Sequence, residues 1–307
     1  MNPNDKIILA GGSGFLGRAL ASALTARGCS VVILTRTLRP RADGAITELQ
    51  WDGKSPGPWA AALDGAAAVV NLTGRSVNCR YTPANRREIV ESRVDSIRAL
   101  AAAIAQCKTR PKVWVQASSL AIYGNAGDRW CDETAPPGDD FPSETCRLWE
   151  QAFDSITLPA TRKVVIRISF ALGPDGGALR TLATITRLFL GGAVGSGRQY
   201  ISWIHNTDLV RMFEWAIERD DIAGPFNATG PNPVTNTQFM RELRRALGRP
   251  WSPPVPAWLA RIGAWAMGTE ASLALTGRRG VPRRFTELGF QFQFPGLRPA
   301  IESLFRT

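Results

Sequence analysis

Residues 6–28, "KIILAGGSGFLGRALASALTARG", contain the most informative fold signature of the chain. Its apolar opening predicts a buried strand, a glycine-rich turn follows, and a helical pattern ends at Gly28. Gly11, Gly14 and Gly17 are spaced G-x-x-G-x-x-G across the turn. Glycine is needed there because the backbone takes positive φ, a β-carbon would block a pyrophosphate, and helix and strand pack closely. The stretch therefore predicts a phosphate-binding turn whose helix N-terminus offers free N–H groups.

The same strand and helix rhythm continues through the first half of the chain. Buried-strand signatures recur in "SVVILT" (30–35), "AAVVNLTG" (67–74), "KVWVQASS" (112–119) and "KVVIRISFALG" (163–173). The longest helical pattern begins at Thr82 and Pro83, which suit an N-cap and a first helical turn. Strands that alternate with helices predict an α/β Rossmann fold, a doubly wound parallel sheet covered on both faces.

The end of the second strand predicts which dinucleotide is bound. NAD sites usually place Asp or Glu there, whereas "ILTRTLRPR" (33–41) offers Thr35, Arg36, Arg39 and Arg41 and no carboxylate. A guanidinium can pair with a 2′-phosphate in a forked geometry, so the cofactor is predicted to be NADP(H), with contacts from Thr35 and Arg36. Arg39 and Arg41 also fit solvated loop arginines. The predicted contacts in the glycine turn are Gly11, Ser13, Gly14, Phe15, Leu16 and Gly17.

The amino-acid composition of the chain changes near Gly173, where glycine clusters and proline-rich segments begin. We expect residues 1–170 to form the NADP-binding Rossmann domain, to which later strands of the second half can be added. Residues 171–307 are expected to form a smaller C-terminal substrate and cap region. Neither an internal repeat nor a low-complexity linker separates the two.

Composition excludes several other classes of protein. The formal charge of +11 invites a nucleic-acid partner, but the arginines are spread along the chain in short pairs, so we expect a solvated basic surface and no nucleic acid. Five widely spaced cysteines without a C-x-x-C pair predict neither a disulfide framework nor a metal site. The sequence shows no signal peptide and no membrane-spanning apolar run, so we expect a cytoplasmic protein, a monomer or homodimer.

Several motifs together resemble those of a known family. They are "GGSGFLG", "NLTG" (71–74), "ESRVDSIRAL" (91–100), "SSLAIYG" (118–124), "GDDFPSETCRLWE" (138–150), "GSGRQYISWIHNTDL" (195–209) and the tail "GRRGVPRRFTELGFQFQFP". Nearly the whole chain resembles the extended short-chain dehydrogenase/reductases, in particular the atypical epimerase/dehydratase-like proteins of unknown substrate. The resemblance implies an NADP-binding Rossmann fold with a C-terminal cap.

The resemblance also implies further cofactor contacts. In "NLTG", Leu72, Thr73 and Gly74 would lie beside the adenine side of the cofactor. Glu88 and Arg93 on the following helix match contact positions of the subgroup, although a helix-surface ion pair between them is an equal alternative. The other implied contacts are Ser118 and Arg167, the latter a strand-end arginine facing the same cleft.

Ser119 matches the family's active-site serine, four residues before Tyr123-Gly124. Its hydroxyl could donate to a substrate carbonyl beside the nicotinamide. Capping of a strand end is the alternative for this position.

The family's catalytic Y-x-x-x-K pair is missing. With Glu150 as anchor, Cys146 stands at the lysine position and Pro142 at the tyrosine position. No shift of register supplies the pair, since residues 125–162 contain neither Tyr nor Lys. The lysine-assisted tyrosine mechanism of the family is therefore excluded.

If chemistry occurs, the proton is expected to come from Tyr123, Cys146, a carboxylate such as Glu144 or Glu150, or water. A buried core cysteine is the alternative for Cys146. The first functional hypothesis is an NADPH-dependent oxidoreductase acting on a small carbonyl or alcohol. The alternatives are a nucleotide-sugar epimerase or dehydratase and a non-catalytic NADP(H)-binding sensor.

Overall fold

Parallel strands form the central sheet of the computed structural model, which describes residues 1–39, 44–174 and 176–305. Arg41, one of the loop arginines considered for the cofactor, lies outside the described residues. The strands are β1 (Lys6–Ala10), β2 (Ser30–Thr35), β3 (Ile46–Gln50), β4 (Ala68–Asn71), β5 (Val113–Ser119), β6 (Trp130–Cys131), β7 (Arg162–Ile168), β8 (Phe170–Leu172), β9 (Tyr200–Ile201), β10 (Trp203–His205), β11 (Gly224–Ala228), β12 (Val234–Thr235) and β13 (Arg279–Gly280).

The helices cover the two faces of this sheet and build the C-terminal region. They are α1 (Phe15–Ala26), α2 (Pro83–Ala105), α3 (Phe141–Asp154), α4 (Gly177–Arg187), α5 (Asn206–Glu218), α6 (Asn236–Ala246), α7 (Ala257–Ala266), α8 (Ser272–Leu275), α9 (Arg283–Glu287) and α10 (Leu297–Phe305). Two 3-10 helices span Pro58–Leu63 and Leu120–Tyr123. The α/β Rossmann fold predicted from the sequence is confirmed.

The central sheet has the strand order β11-β7-β5-β4-β1-β2-β3, and every pairing in it is parallel. The order reverses at β1, where Ala10 pairs with Leu34 on one side and with Asn71 on the other. Ligands of doubly wound sheets bind at such a reversal, beyond the carboxyl ends of the strands. The glycine turn that follows Ala10 therefore lies at the binding crevice.

The first strand is apolar throughout because both faces of the sheet are covered. Ile7 and Leu9 are buried in the core that includes α1 and α5, whereas Ile8 and Ala10 are buried in the core that includes α2 and α3. Side chains alternate between the faces of a strand, so a strand buried on both sides has no polar positions.

The second half of the chain completes the sheet and adds a further core. β11 supplies the seventh strand, and Phe285 and Phe290 of the C-terminal region pack into the same core as Ile7. A separate cluster holds α6 and α10 together around Trp203, Phe239 and other apolar residues. The division at residue 170 stays a prediction, and the sheet extends beyond it as the sequence allowed.

A buried polar network attaches α3 to the sheet. Glu150 of α3 receives two hydrogen bonds from Arg167 of β7, at 2.9 and 2.7 Å, and one from the Ser118 hydroxyl of β5 at 2.6 Å. The third guanidinium nitrogen of Arg167 donates to the Tyr123 hydroxyl at 2.9 Å, and that hydroxyl donates to Asn227 of β11 at 2.8 Å. The network therefore fixes α3 against three strands at once.

Removal of one partner from this network should be severe. We expect Glu150→Ala to lower the free energy of unfolding by about 3–5 kcal/mol, because the buried Arg167 charge would lose its carboxylate. Urea denaturation measures the loss. Glu287→Ala is the matched control, since Glu287 pairs with Arg283 at the surface and its removal should cost far less. Equal losses for the two variants would contradict this role of the network.

Candidate functional site

The glycine turn brings three segments of backbone into contact. Gly11 has φ of +74°, and a β-carbon there would lie 3.1 Å from the backbone of Leu72 and Thr73. A β-carbon on Gly17 would lie 2.5 Å from the backbone of Gly12, so the start of α1 fits against the turn only without side chains. The predicted need for glycine at these positions has this steric cause.

Helix α1 begins with its N–H groups available. Gly14 is its N-cap, and within the described part of the chain no side chain caps the helix and no acidic residue stands in its first turn. The backbone N–H groups of Phe15, Leu16 and Gly17 have no partner within the helix, because the first turn of any helix lacks acceptors. A β-carbon on Gly14 would have only a single neighbouring oxygen, at 3.6 Å, so this side of the turn is open. The arrangement can bind a pyrophosphate.

The Phe15 side chain is used for packing. A β-carbon on Gly173 would lie 2.4 Å from its ring, and one on Gly176 would lie 2.8 Å from it. Two glycines of the segment after β8 thus allow the ring to be covered. Phe15 can therefore contribute its backbone N–H to a phosphate and not its ring.

Thr35 and Arg36, two predicted cofactor contacts at the end of β2, lie in different environments. Thr35 is buried, and its hydroxyl donates to the Ser13 hydroxyl at 3.1 Å, which holds the turn. Arg36 is exposed, and among the described residues its guanidinium has no hydrogen-bond or ion-pair partner. One carboxylate does approach this loop, since Glu48 of β3 accepts a hydrogen bond from the backbone N–H of Arg39 at 2.8 Å. The sequence-based expectation of no nearby carboxylate holds along the chain but not across to β3.

The end of β4 is fixed by Asn71, which is fully buried. Its amide nitrogen donates to Ser96 at 3.1 Å and to Gln116 at 3.0 Å, and its amide oxygen accepts the backbone N–H of Thr73 at 3.0 Å. The Thr73 hydroxyl is buried and has no hydrogen-bond partner among the described residues. Buried hydroxyls are rarely left unpaired, so this one fits a bound ligand that passes Leu72 and Thr73.

Glu88 and Arg93 do not pair with each other. Glu88 is exposed and forms an ion pair with Arg75. Arg93 donates to the backbone oxygens of Arg75 at 3.1 Å and Ile89 at 2.8 Å, and its guanidinium lies 4.9 Å from the centre of the Trp149 ring. Arg93 also lies against Gly74, where a β-carbon would be 3.1 Å from the guanidinium carbon. The two residues therefore occupy different environments.

A cavity of about 400 Å³ opens at the carboxyl end of β5. It lies between the start of α2, the first turns of α3 and the C-terminal segment 270–278. Its chemically informative lining residues are Tyr81, Arg93, Ser119, Pro142, Cys146 and Arg278. The two positions where the family resemblance places tyrosine and lysine, Pro142 and Cys146, thus face the same cavity as Ser119.

Ser119 has the capping role that the sequence offered as an alternative, and its role toward a substrate stays a prediction. Its hydroxyl accepts the backbone N–H of Ala121 at 3.1 Å, which caps the short 3-10 helix. It also donates to the backbone oxygen of Ile168 at a long 3.4 Å. Because this donated bond is weak, the hydroxyl hydrogen can be redirected to a ligand in the cavity.

Cys146 borders the cavity but is buried. Burial, followed by the negative charge of Glu150, raises the pKa of its thiol to about 12. It packs with Leu120, Ile122 and Tyr123 in a small apolar cluster. The thiol therefore stays protonated at neutral pH and has little access to solvent.

Tyr123 and Arg167 do not line the cavity. The Tyr123 hydroxyl is occupied by Arg167 and Asn227, and burial raises its pKa to about 12. Arg167 is held by Glu150 and Tyr123. Tyr123 and Arg167 therefore belong to the buried network that supports α3. Ser118, which is hydrogen-bonded to Glu150, belongs to the same network.

Tyr81 is absent from the residues that the sequence predicts for the site. It lines the cavity, and its hydroxyl is buried without a hydrogen-bond partner among the described residues. The pKa of the Tyr81 hydroxyl is raised to about 12, mainly by burial. Glu270 accepts its backbone N–H at 2.6 Å, and its ring packs edge-on against Phe141. The one available signal is that this chain has only three tyrosines and one of them directly precedes the N-cap Thr82.

Two family models match different parts of the chain. A family model described as "NAD dependent epimerase/dehydratase family" matches residues 7–229. A second model, of a domain of unknown function, DUF1731, matches residues 255–304. The second match coincides with the segment that closes the cavity from the C-terminal side.

Individual relatives match along nearly the whole chain. Epimerase family protein YfhF of Bacillus subtilis is 34% identical over 97% of this chain and 97% of its own length. The crystal structure of human epimerase family protein SDR39U1 with NADPH superposes with a TM-score of 0.87 at 33% identity, covering 97% of this chain and 98% of that one. A structure described as the nucleoside-diphosphate sugar epimerase from Corynebacterium glutamicum has a TM-score of 0.77 at 30% identity, covering 98% of this chain and 58% of that one.

Across residues 1–39, 44–174 and 176–305, no helix combines enough length with enough apolar character to cross a membrane.

Alkylation should distinguish a buried Cys146 from a reactive one. The thiolate is the attacking form, and a pKa of about 12 leaves Cys146 with a far smaller thiolate fraction than an ordinary thiol at about pH 8. We expect iodoacetamide to modify Cys146 at least about tenfold more slowly than the partly exposed Cys79. Peptide mass spectrometry measures both rates, and urea-unfolded protein, where the two should react alike, is the control. Equal rates in the folded protein would contradict the burial of Cys146.

Proposed function

The chain belongs to the NAD dependent epimerase/dehydratase family, and we propose that it is an NADP(H)-dependent oxidoreductase. It reduces or oxidises a small carbonyl or alcohol without a Tyr/Lys pair. The observation that carries the proposal is the cavity beside Ser119. Pro142 and Cys146 stand in its wall at the positions of the Tyr/Lys pair, and protic groups come from other positions, Ser119 and Tyr81. The finer assignments, a cytoplasmic location and a monomeric or homodimeric state, are part of the same proposal.

Binding of NADP(H) is supported by features of this chain and by a relative. The open helix N-terminus at Gly14 suits the pyrophosphate, and the unpaired Thr73 hydroxyl lies in the adjoining crevice. The exposed Arg36 guanidinium, without an ion-pair partner among the described residues, suits a 2′-phosphate. The human relative SDR39U1 was crystallised with NADPH. Bound NADPH supplies a hydride to a carbonyl carbon.

Two residues of the cavity can then hydrogen-bond and protonate the carbonyl oxygen of the substrate. The Ser119 hydroxyl gives up its long bond to Ile168 and donates to the substrate oxygen. As the carbon takes up the hydride, that oxygen gains negative charge and needs a proton. Tyr81 can supply it, because its buried hydroxyl has no partner among the described residues and its raised pKa keeps it protonated. Solvent returns the proton to the phenolate, and the substrate leaves as an alcohol.

Selectivity for the phosphorylated dinucleotide depends on Arg36 in this proposal. We expect Arg36→Ala to weaken NADPH binding about 10- to 100-fold, the loss of one or two charge-assisted hydrogen bonds. NADH binding should change little, because NADH has no 2′-phosphate. Fluorescence titration of both nucleotides checks this expectation. An equal loss for the two nucleotides would remove Arg36 from the phosphate site.

Loss of either protic group should slow turnover while NADPH binding persists. We expect Tyr81→Phe and Ser119→Ala to reduce kcat about 100- to 10,000-fold, the usual contribution of a positioned proton donor. Because the pKa of Tyr81 is about 12, the donor form persists as pH rises, and kcat should fall only in strongly alkaline buffer. NADPH absorbance measures the rate with a panel of carbonyl compounds.

Tyr200→Phe is the matched control for the tyrosine variant, because Tyr200 does not line the cavity. Undiminished turnover in Tyr81→Phe would remove Tyr81 from the mechanism, and undiminished turnover in Ser119→Ala would remove Ser119. If no carbonyl compound oxidises NADPH, the oxidoreductase proposal is wrong and the protein is better described as an NADP(H)-binding sensor.

A further inference from the structure

Arg278 places an unpaired guanidinium in the wall of the cavity. Its Nε is buried, and among the described residues the side chain has no hydrogen-bond or ion-pair partner. The backbone around it is firmly held, since its N–H donates to the oxygen of Tyr200 at 3.1 Å and its oxygen accepts the Ser202 hydroxyl at 2.9 Å. The guanidinium is therefore positioned by its main chain and not by any contact of its own charge.

A second guanidinium faces the same cavity. Arg93 uses one nitrogen for backbone oxygens and forms no ion pair with the described residues. Burial lowers the pKa of both Arg93 and Arg278, which shows that the protein around them disfavours their charge. A pair of arginine charges withdrawn from water is costly unless an anion compensates it.

The carboxylates at the rim of the cavity are already engaged. Asp140 accepts the backbone N–H and the hydroxyl of Ser143, at 2.9 and 2.6 Å, and so caps α3. Glu270 accepts the backbone N–H of Tyr81 at 2.6 Å. Among the described residues neither forms an ion pair with Arg93 or Arg278, and only the nearby negative charge of Asp140 favours the charge of Arg278 without contacting it.

We propose that the substrate of this cavity carries an anionic group, a carboxylate or a phosphate monoester, which Arg278 and Arg93 bind. Arginine suits either group because its planar fork matches two oxygens at once. The inference rests on the proposed function for the position of the carbonyl, beside Ser119 and Tyr81. The cavity volume of about 400 Å³ is at the small end of ligand pockets, about 300–1,000 Å³, which favours a compact acid over a nucleotide sugar.

Matched pairs of aldehydes with and without an anionic group test the proposal. The pairs are succinate semialdehyde with butanal, para-formylbenzoate with benzaldehyde, and glycolaldehyde phosphate with glycolaldehyde. Calorimetric titration into the protein saturated with NADP⁺ gives an affinity for each compound without requiring turnover. We expect the charged member of at least one pair to bind about tenfold tighter or more, which also separates carboxylate from phosphate.

Arg278→Gln should abolish this preference for the charged member and leave NADPH affinity unchanged. Arg98→Gln is the matched control, since Arg98 is exposed on α2 away from the cavity, and it should keep the preference. Should Arg278→Gln fail to bind NADPH, Arg278→Met gives the same comparison with an apolar chain of similar length. No preference in any pair, or a preference that survives the loss of Arg278, would overturn the inference.

The binding readout separates this inference from the proposed function. A charge preference that depends on Arg278, without any oxidation of NADPH, would support the anion site and contradict the oxidoreductase proposal. Oxidation of NADPH by neutral aldehydes as well as by their charged partners, without a charge preference in binding, would do the reverse.

Discussion

The ion pair between Arg167 and Glu150 determines where α3 lies, and the cavity depends on α3. Glu150 stands one helical turn after Cys146 and points into the sheet, so the preceding turns present Pro142 and Cys146 toward the end of β5. The pair is buried and its partners belong to different elements, so its geometry admits little adjustment. The ion pair thereby holds α3, which lacks the family's tyrosine and lysine, in the place where those two residues would act.

The cofactor crevice and the cavity lie along the same edge of the sheet because of its topology. The crevice is at the strand-order reversal beside β1, and β5 is two strands away with β4 between them. All these strands are parallel, so their carboxyl ends share one edge of the sheet. The C-terminal segment 270–278 then closes the cavity and contributes the charge of Arg278.

Local patterns predict the part of the structure that depends on short spacing. Five of the seven central strands follow from apolar runs, and the glycine turn follows from its own spacing. β3 and β11 are less visible, because "ITELQ" mixes polar and apolar residues and "GPFNA" opens with glycine and proline. Both are edge strands, where such residues are tolerated.

The cavity-lining residues that the sequence predicts belong to recognisable motifs, namely Ser119 at the end of β5 and Arg93 and Cys146 on helices. Ser119 ends β5, whereas Tyr81 lies in a loop and Arg278 comes from a segment 159 residues farther along the chain. Tyr123 is the opposite case. Its position near Ser119 in the sequence suggests a proton donor, but its hydroxyl is hydrogen-bonded to Asn227, 104 residues away in the chain. Sequence spacing does not report such long-range contacts.

The most direct test is a crystal structure of the protein with NADP⁺ and para-hydroxymethylbenzoate, the alcohol of one of the anionic aldehydes. We expect the reactive face of the nicotinamide to lie against the cavity, the alcohol oxygen within hydrogen-bond distance of Ser119 and Tyr81, and the carboxylate against Arg278. A nicotinamide that does not reach the cavity, or a carboxylate bound away from Arg278, would contradict it.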